Sequence, residues 1–288
     1  MDAAPTGTLL RGLTADRAVR VIAVEASAPA EHTRTLHGLG PDAARIGTEA
    51  LVAAALSSAH IKGDEQLTLQ IQGERPRFSV YVDATAEGAL RARVSPPDLQ
   101  LPGGTFHGIL MVTKHAPGGE VYRGATAIEG TTLEQALGSH FRTSQQVDAV
   151  VRIGFRANDS GTVRIAQGVL LERLPDEPDV PSVTPAAFTQ RFGPLADPGR
   201  HPLDALMTSV ALGRVLGDPI EVLARHEVSW RCRCSRARIE ETLRSLGGAT
   251  LQELIDEDHG ATVSCHFCTT DYVLSEDDLR RLQGSLPA

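Results

Sequence analysis

Apolar and polar residues alternate along much of the chain up to about Glu172, the period expected of half-buried strands. Leu67-Thr68-Leu69-Gln70-Ile71 and Phe78-Ser79-Val80-Tyr81-Val82 are the clearest cases, and turn residues from Gly73 to Pro76 join them as a hairpin. The β-branched run Ala18–Val24 predicts another strand. Leu90–Val94, Gly108–Thr113, Val121–Ala125, Ala149–Ile153 and Thr162–Leu171 continue the pattern, with Gly118-Gly119 and Asp159-Ser160-Gly161 as turns. The spacing becomes helical over Pro41–His60, where Ala43, Ala44, Ile46, Leu51, Ala54, Ala55 and Leu56 share one face. It does so again over Thr132–Phe141, behind a threonine cap. The expectation is an α+β core domain over residues 1–174, built mainly from antiparallel hairpins and without internal repeats.

The composition then shifts. Leu174–Pro185 carries four prolines and no apolar period, which marks a linker. Thr184-Pro185 reads as an N-cap followed by proline at the first helical position. From there to Leu223 the pattern is helical and rich in apolar residues, but Gly193-Pro194, Pro198-Gly199 and Gly217-Asp218-Pro219 cut it into short helices. Helices this short draw their stability from packing. Residues 175–230 are therefore expected to form a helical linker region.

The last stretch, 231–288, is a small module. Arg236–Leu246 sets Ile239, Leu243 and Leu246 on one helical face ended by Gly247-Gly248. Thr250 is expected to cap a second helix, with Leu251, Leu254 and Ile255 inward. Val263–Cys265 and Tyr272–Leu274 predict strands around Cys265-His266-Phe267-Cys268, and Ser275 with Asp278 predicts a capping box for a final helix.

All four cysteines fall in this module as Cys232-x-Cys234 and Cys265-x-x-Cys268. Two close pairs on separate turns can offer four sulfurs to a tetrahedral metal, and soft thiolates favour Zn²⁺. Cys232, Cys234, Cys265 and Cys268 are thus the expected ligands. His259 and His266 stand nearby as surface residues, because four sulfurs already fill the shell. Arg231, Arg233, Arg236 and Arg238 crowd the first pair and would favour thiolate. A module this small draws only ~3–5 kcal/mol from its core, whereas structural zinc contributes an apparent ~10–16 kcal/mol in small peptides. The hypothesis is an oxidation-sensitive clasp. Disulfides Cys232–Cys234 and Cys265–Cys268 would close loops of only one or two intervening residues, expel the metal and release the module. Pairing across the two hairpins would hold it shut.

The formal net charge of −8 argues against a nucleic-acid partner, which would need surplus Lys and Arg. No apolar run is long enough for a membrane span, and the start lacks a basic segment followed by an apolar one, so a cytoplasmic location is expected.

Cys232-Arg233-Cys234-Ser235-Arg236, Ser245-Leu246-Gly247, and Cys265-His266-Phe267-Cys268 with Tyr272 resemble the Hsp33 family, the redox-regulated heat-shock chaperones of 33 kDa. The likeness extends upstream to His60-Ile61-Lys62-Gly63, Leu67–Ile71 with Gly73, and His140-Phe141 before Ser144-Gln145-Gln146. Gln145 replaces the usual acidic residue, and the glycine-rich motif is reduced to Gly103-Gly104 and Gly108. The resemblance implies an ATP-independent holdase, inactive while reduced and zinc-bound. Oxidation would release zinc, unfold the module and destabilise the neighbouring helices. Phe188, Phe192, Leu203, Leu206, Met207 and Val210 would then join an apolar surface that holds unfolding client proteins. The family also implies a homodimer in the active state.

Three rivals stand against this reading. Asp42, Glu49, His37 and His60 could serve acid–base catalysis, but no motif brings them together, so no enzyme is expected. A zinc-ribbon nucleic-acid binder draws on the arginines near Cys232 and is opposed by the overall charge. A thiol–disulfide oxidoreductase would need βαβ surroundings for Cys265-x-x-Cys268 that the pattern does not supply.

Overall fold

The alternating segments of the first part assemble into one ten-stranded sheet. The computed structural model describes residues 4–175, 183–193, 213 and 216–285. Two units emerge, Met1–Arg231 and Cys232–Ala288.

In the first unit the strands are β1 (Thr6–Thr14), β2 (Val19–Glu25), β3 (Gln66–Arg75), β4 (Arg77–Thr85), β5 (Ala89–Ser95), β6 (Phe106–Ala116), β7 (Gly119–Thr131), β8 (Ala149–Ala157), β9 (Val163–Arg173) and β10 (Ile220–Trp230). The helices are α1 (Ser27–His37), α2 (Pro41–Ser57), α3 (Leu133–Ser144) and α4 (Pro185–Phe192). Strand order is β7-β6-β3-β4-β5-β10-β1-β2-β9-β8. Every pairing is antiparallel except the short parallel contact of Ser229 and Trp230 with Ala89 and Leu90. That contact joins two antiparallel five-stranded blocks.

The predicted helix over Pro41–His60 forms as α2, with Pro41 at its first turn. It is buried on nearly all sides, as a helix apolar around its circumference must be. It packs on strands of both blocks, including β4, β5, β8 and β9, and with α1 and α3 makes the main core. Ile46, Leu51 and Leu56 are fully buried there, each contributing about 1.5–3 kcal/mol. The expected threonine cap of α3 is a full capping box between Thr132 and Gln135.

The side chains that alternate away from α2 build a second apolar layer. Leu10, Val19, Val21, Ala23, Val169 and Leu171 form it on the opposite face of β1, β2 and β9. Helix α4 covers this layer with Phe188 and Phe192, which are 1% and 0% exposed. Thr184 caps α4 as predicted, its side chain accepting the Ala187 N–H at 3.2 Å. Leu203, Leu206, Met207 and Val210 lie outside the described residues.

The helical pattern read from Pro185 to Leu223 does not extend to its end. Ile220–Trp230 is β10, inserted between β1 and β5 in the sheet. Ile220, Val222 and Ala224 alternate with the more exposed Glu221, Leu223 and Arg225, which is a strand's period. The apolar residues upstream and the Gly217-Asp218-Pro219 break hid that change of period. The segment expected as linker therefore supplies an inner strand of the large sheet.

Two histidines from the quoted motifs sit in polar niches. His60 Nε2 lies 2.7 Å from Glu172 Oε1, and Arg20 stands 3.3 Å from the other oxygen of that carboxylate. His140 is fully buried, with Nδ1 3.1 Å from Thr126 Oγ1. No helix among the described residues is long and apolar enough to cross a membrane.

The second unit comprises α5 (Arg236–Ser245), α6 (Gly248–Asp256), the hairpin β11 (Gly260–Ser264) and β12 (Asp271–Ser275), and α7 (Glu276–Gly284). Leu243, Leu251, Ile255, Leu274, Leu279 and Leu282 form its small core. Helix α6 starts at Gly248, so Thr250 lies inside the first turn and does not cap it. Ser275 and Asp278 make the expected capping box of α7.

Candidate metal centre

The hairpin of β11 and β12 determines where the second cysteine pair lies. Ser264 pairs with Asp271, leaving Cys265–Thr270 as the turn between the strands. The Cys265 N–H donates to Thr270 O at 2.9 Å, and the Thr269 N–H returns to Cys265 O at 2.8 Å. Thr269 takes a left-handed φ of 58° to close this turn. The first pair lies just before α5. Ser235 caps that helix by accepting the Arg238 N–H at 3.3 Å, which anchors the segment carrying Cys234.

The four sulfurs converge. All lie within 4.8 Å of one another, and among the described residues they are the group of His, Cys, Asp or Glu side chains arranged to hold a metal ion. Cys232 Sγ is 3.7 Å from Cys265 Sγ, and Cys234 Sγ is 3.2 Å from Cys268 Sγ. None of the four is in a disulfide. These two approaches run between the pairs, so the cluster bridges the chain across its long insert.

Hydroxyl groups complete the site. Tyr272 on β12 donates to Cys234 Sγ at 3.1 Å, and Cys268 Sγ shares a hydrogen bond with Thr270 Oγ1 at 3.2 Å. Burial pushes the Cys234 thiol up to about 12, with the neighbouring thiols adding to the effect, while Tyr272 pulls the other way. Burial also opposes ionisation of Cys268, yet hydrogen bonds from Thr270 and the neighbouring thiols bring it down to about 6. A cation bound among them would favour the thiolate form of all four.

Sequence reasoning named the four cysteines, but not the hydroxyl partner Thr270 or the role of Tyr272. Their signal was available as hydroxyl residues two and four places after Cys268, at the end of the turn and on the outgoing strand. The expected arginine field is partly spent elsewhere, for Arg236 binds Glu240 at 3.1 Å and Asp278 at 2.6 Å. His259 lies 3.7 Å from Glu276, outside the sulfur group. Of the acid–base candidates, Asp42 and Glu49 share Arg45, whereas His60 turns to Glu172.

A family model described as Hsp33 protein matches residues 7–275. This chain belongs to the Hsp33 family. The 33 kDa chaperonins of Staphylococcus aureus strains Newman and COL are 27% identical to it over 291 residues, covering 96% of this chain and 98% of theirs. The crystal structure of the 33 kDa chaperonin of Thermotoga maritima superposes with a TM-score of 0.72 at 23% identity, covering 98% of each chain. That structure shares the α+β fold described above. The chain is a chaperone of the Hsp33 family, and its four cysteines can hold one metal ion.

Proposed function

We propose that this chain is a redox-regulated, ATP-independent holdase of the cytoplasm, with one Zn²⁺ on Cys232, Cys234, Cys265 and Cys268 in its reduced, inactive state. The observation that carries the reading is the convergence of four sulfurs from the two ends of a module with a six-residue buried core. Tetrahedral Zn–S bonds of ~2.3 Å require S···S edges of ~3.8 Å, close to the separations between the pairs. The donor set fits. Zinc, when bound, would keep all four sulfurs as thiolates and clasp the module.

Oxidation removes the donors. Hydrogen peroxide takes two electrons from each pair of thiolates and, with two protons from solvent, leaves one S–S bond and two waters. With bonds Cys232–Cys234 and Cys265–Cys268, the module loses the metal crosslink between its two cysteine pairs. The helices beside the large sheet then lose support, and Phe188 and Phe192, together with Leu203, Leu206, Met207 and Val210, become client-binding surface. The oxidised form acts as a homodimer on unfolded or partly folded proteins. No catalytic role is assigned to any residue.

The test is light scattering of a chemically unfolded client, with reduced and peroxide-treated protein compared at equal concentration. Zinc release is read in parallel with a chromogenic chelator. Suppression by the oxidised form alone, together with zinc release, is the expected result. Equal suppression in both states would remove the switch. Peptide mapping that links Cys232 to Cys265 or Cys268 would overturn the assigned pairing.

A further inference from the structure

A groove of about 470 Å³ follows the free edge of the large sheet along β8. Its size lies inside the roughly 300–1,000 Å³ range of ligand clefts. Strand β8 pairs with β9 on one side. Asp148 O accepts the Arg173 N–H there at 2.9 Å, so the even-numbered residues address β9. The odd-numbered residues address the groove. Ile153 shows this directly, its N–H donating to Glu134 Oε2 at 2.5 Å and its carbonyl accepting from Arg152 at 3.2 Å. The same alternation turns the N–H and C=O groups of Ala149 and Val151 into the groove, where neither has a partner among the described residues.

Unpaired ladder groups beside a cavity are what an added strand engages. Successive side chains of that strand would face different walls. Glu49 of α2 and Glu134 of α3 line one wall, and Phe188 and Thr189 of α4 line the other. On that wall Arg152 already pairs with Glu134 at 2.9 Å and Arg142 also lines the groove, so Glu49 is the carboxylate left with a shared partner. Arg45 stands 3.6 Å from Glu49 but also serves Asp42 at 3.1 Å and Leu101 O at 2.7 Å. Burial raises Glu49 to about 7, and the charge of Glu134 adds to it. Burial raises Glu134 as well.

We propose that this groove seats an extended polypeptide segment as an extra strand on Ala149 and Val151, with a lysine or arginine set against Glu49 and the adjacent side chain against α4 at Thr189. The inference deepens the holdase reading and rests on it for the source of the segment, an unfolded client.

The probe is a fluorescent peptide alternating valine and lysine over about seven residues, longer than the roughly 13 Å of Ala149–Ile153. Anisotropy titrations use the full-length protein, reduced and oxidised. N-methylation of the peptide backbone is expected to weaken binding by about tenfold or more, the equivalent of one or two lost hydrogen bonds. Val151→Pro should do the same, since an edge strand tolerates proline where the N–H points outward. Glu49→Gln should weaken the lysine peptide several-fold and leave a norleucine version unchanged. Equal affinity for the N-methylated peptide overturns the proposal even if Val151→Pro fails to fold. So does a folded Val151→Pro protein that binds as wild type does, or that loses only self-association. Client suppression is measured alongside. Retained suppression without peptide binding at β8 overturns the groove alone, whereas suppression absent in every state overturns the holdase reading.

Discussion

Burial moves two ionisable side chains of the large unit in opposite directions. Glu49 is raised to about 7, mainly by burial, from an ordinary 4.5. His140 is lowered to about 4 from an ordinary 6.5, first by burial and then by the charge of Lys114. The folded protein therefore holds the Glu49 proton longer than the unfolded chain does. That contribution is complete below pH 4.5 and is lost as pH rises toward 7. His140 has the opposite sign. Its neutral form favours the fold above pH 6.5, and the contribution is lost as pH falls toward 4. Each amounts to about 3 kcal/mol, and over the shared window they offset one another. Thermal melts of the reduced protein should separate them. Relative to wild type, Glu49→Gln is expected to gain most as pH rises, and His140→Gln to gain most as pH falls. Two variants with parallel profiles would contradict this assignment.

At the scale of elements, α4 is the piece most easily displaced. It is an eight-residue helix held by one threonine cap, two buried phenylalanines and the pairing of Arg191 with Asp16 at 3.1 Å and Asp218 at 2.6 Å. Thr184→Ala should cost about 1 kcal/mol and Phe188→Ala about 3–5 kcal/mol, both locally. The expected readout is higher binding of an apolar dye by the reduced protein, larger for Phe188→Ala, with the far-ultraviolet spectrum nearly unchanged. Dye binding equal to wild type would show that α4 is not what covers the second apolar layer. The elements also differ in how plainly the sequence announces them. The β3–β4 hairpin was legible because its alternation is unbroken, and α2 because its apolar residues recur at helical spacing. Strand β1 was not legible. Gly7 and Gly12 interrupt its pattern, yet a Cβ there would lie 2.1 Å from Glu25 O and 2.7 Å from Glu221 O. The residues that look like strand breakers are the ones that let β2 and β10 approach. Helix α1 was missed because only Pro29, Ala30 and Thr33 are buried, too thin a stripe to stand out.

For the whole molecule, stability is divided unequally between the two units. Met1–Arg231 holds two apolar layers, whereas Cys232–Ala288 holds one cluster of six buried residues. Chelation of zinc should therefore abolish amide-exchange protection in the smaller unit while the strands around α2 stay protected. Cys268→Ser should reproduce this without chelator. Protection in Cys232–Ala288 that survived both treatments would mean that the metal does not hold the module. The cluster of four cysteines was legible because two close pairs stand out in the sequence. The role of Tyr272 was not, because its partner Cys234 lies 38 residues away and no local pattern encodes that meeting.

Strand β1 pairs with β10, Thr6 opposite Ser229, so the two ends of the large unit are hydrogen-bonded neighbours. A ribosome adding ~5–20 residues per second needs on the order of 10–40 s to travel between them. Once β5 has been made, the nascent chain carries one unfinished sheet edge on β1 and another on β5 until β10 follows. Until β10 emerges, this chaperone is itself an aggregation-prone polypeptide, and its own biosynthesis needs shelter from neighbouring strands.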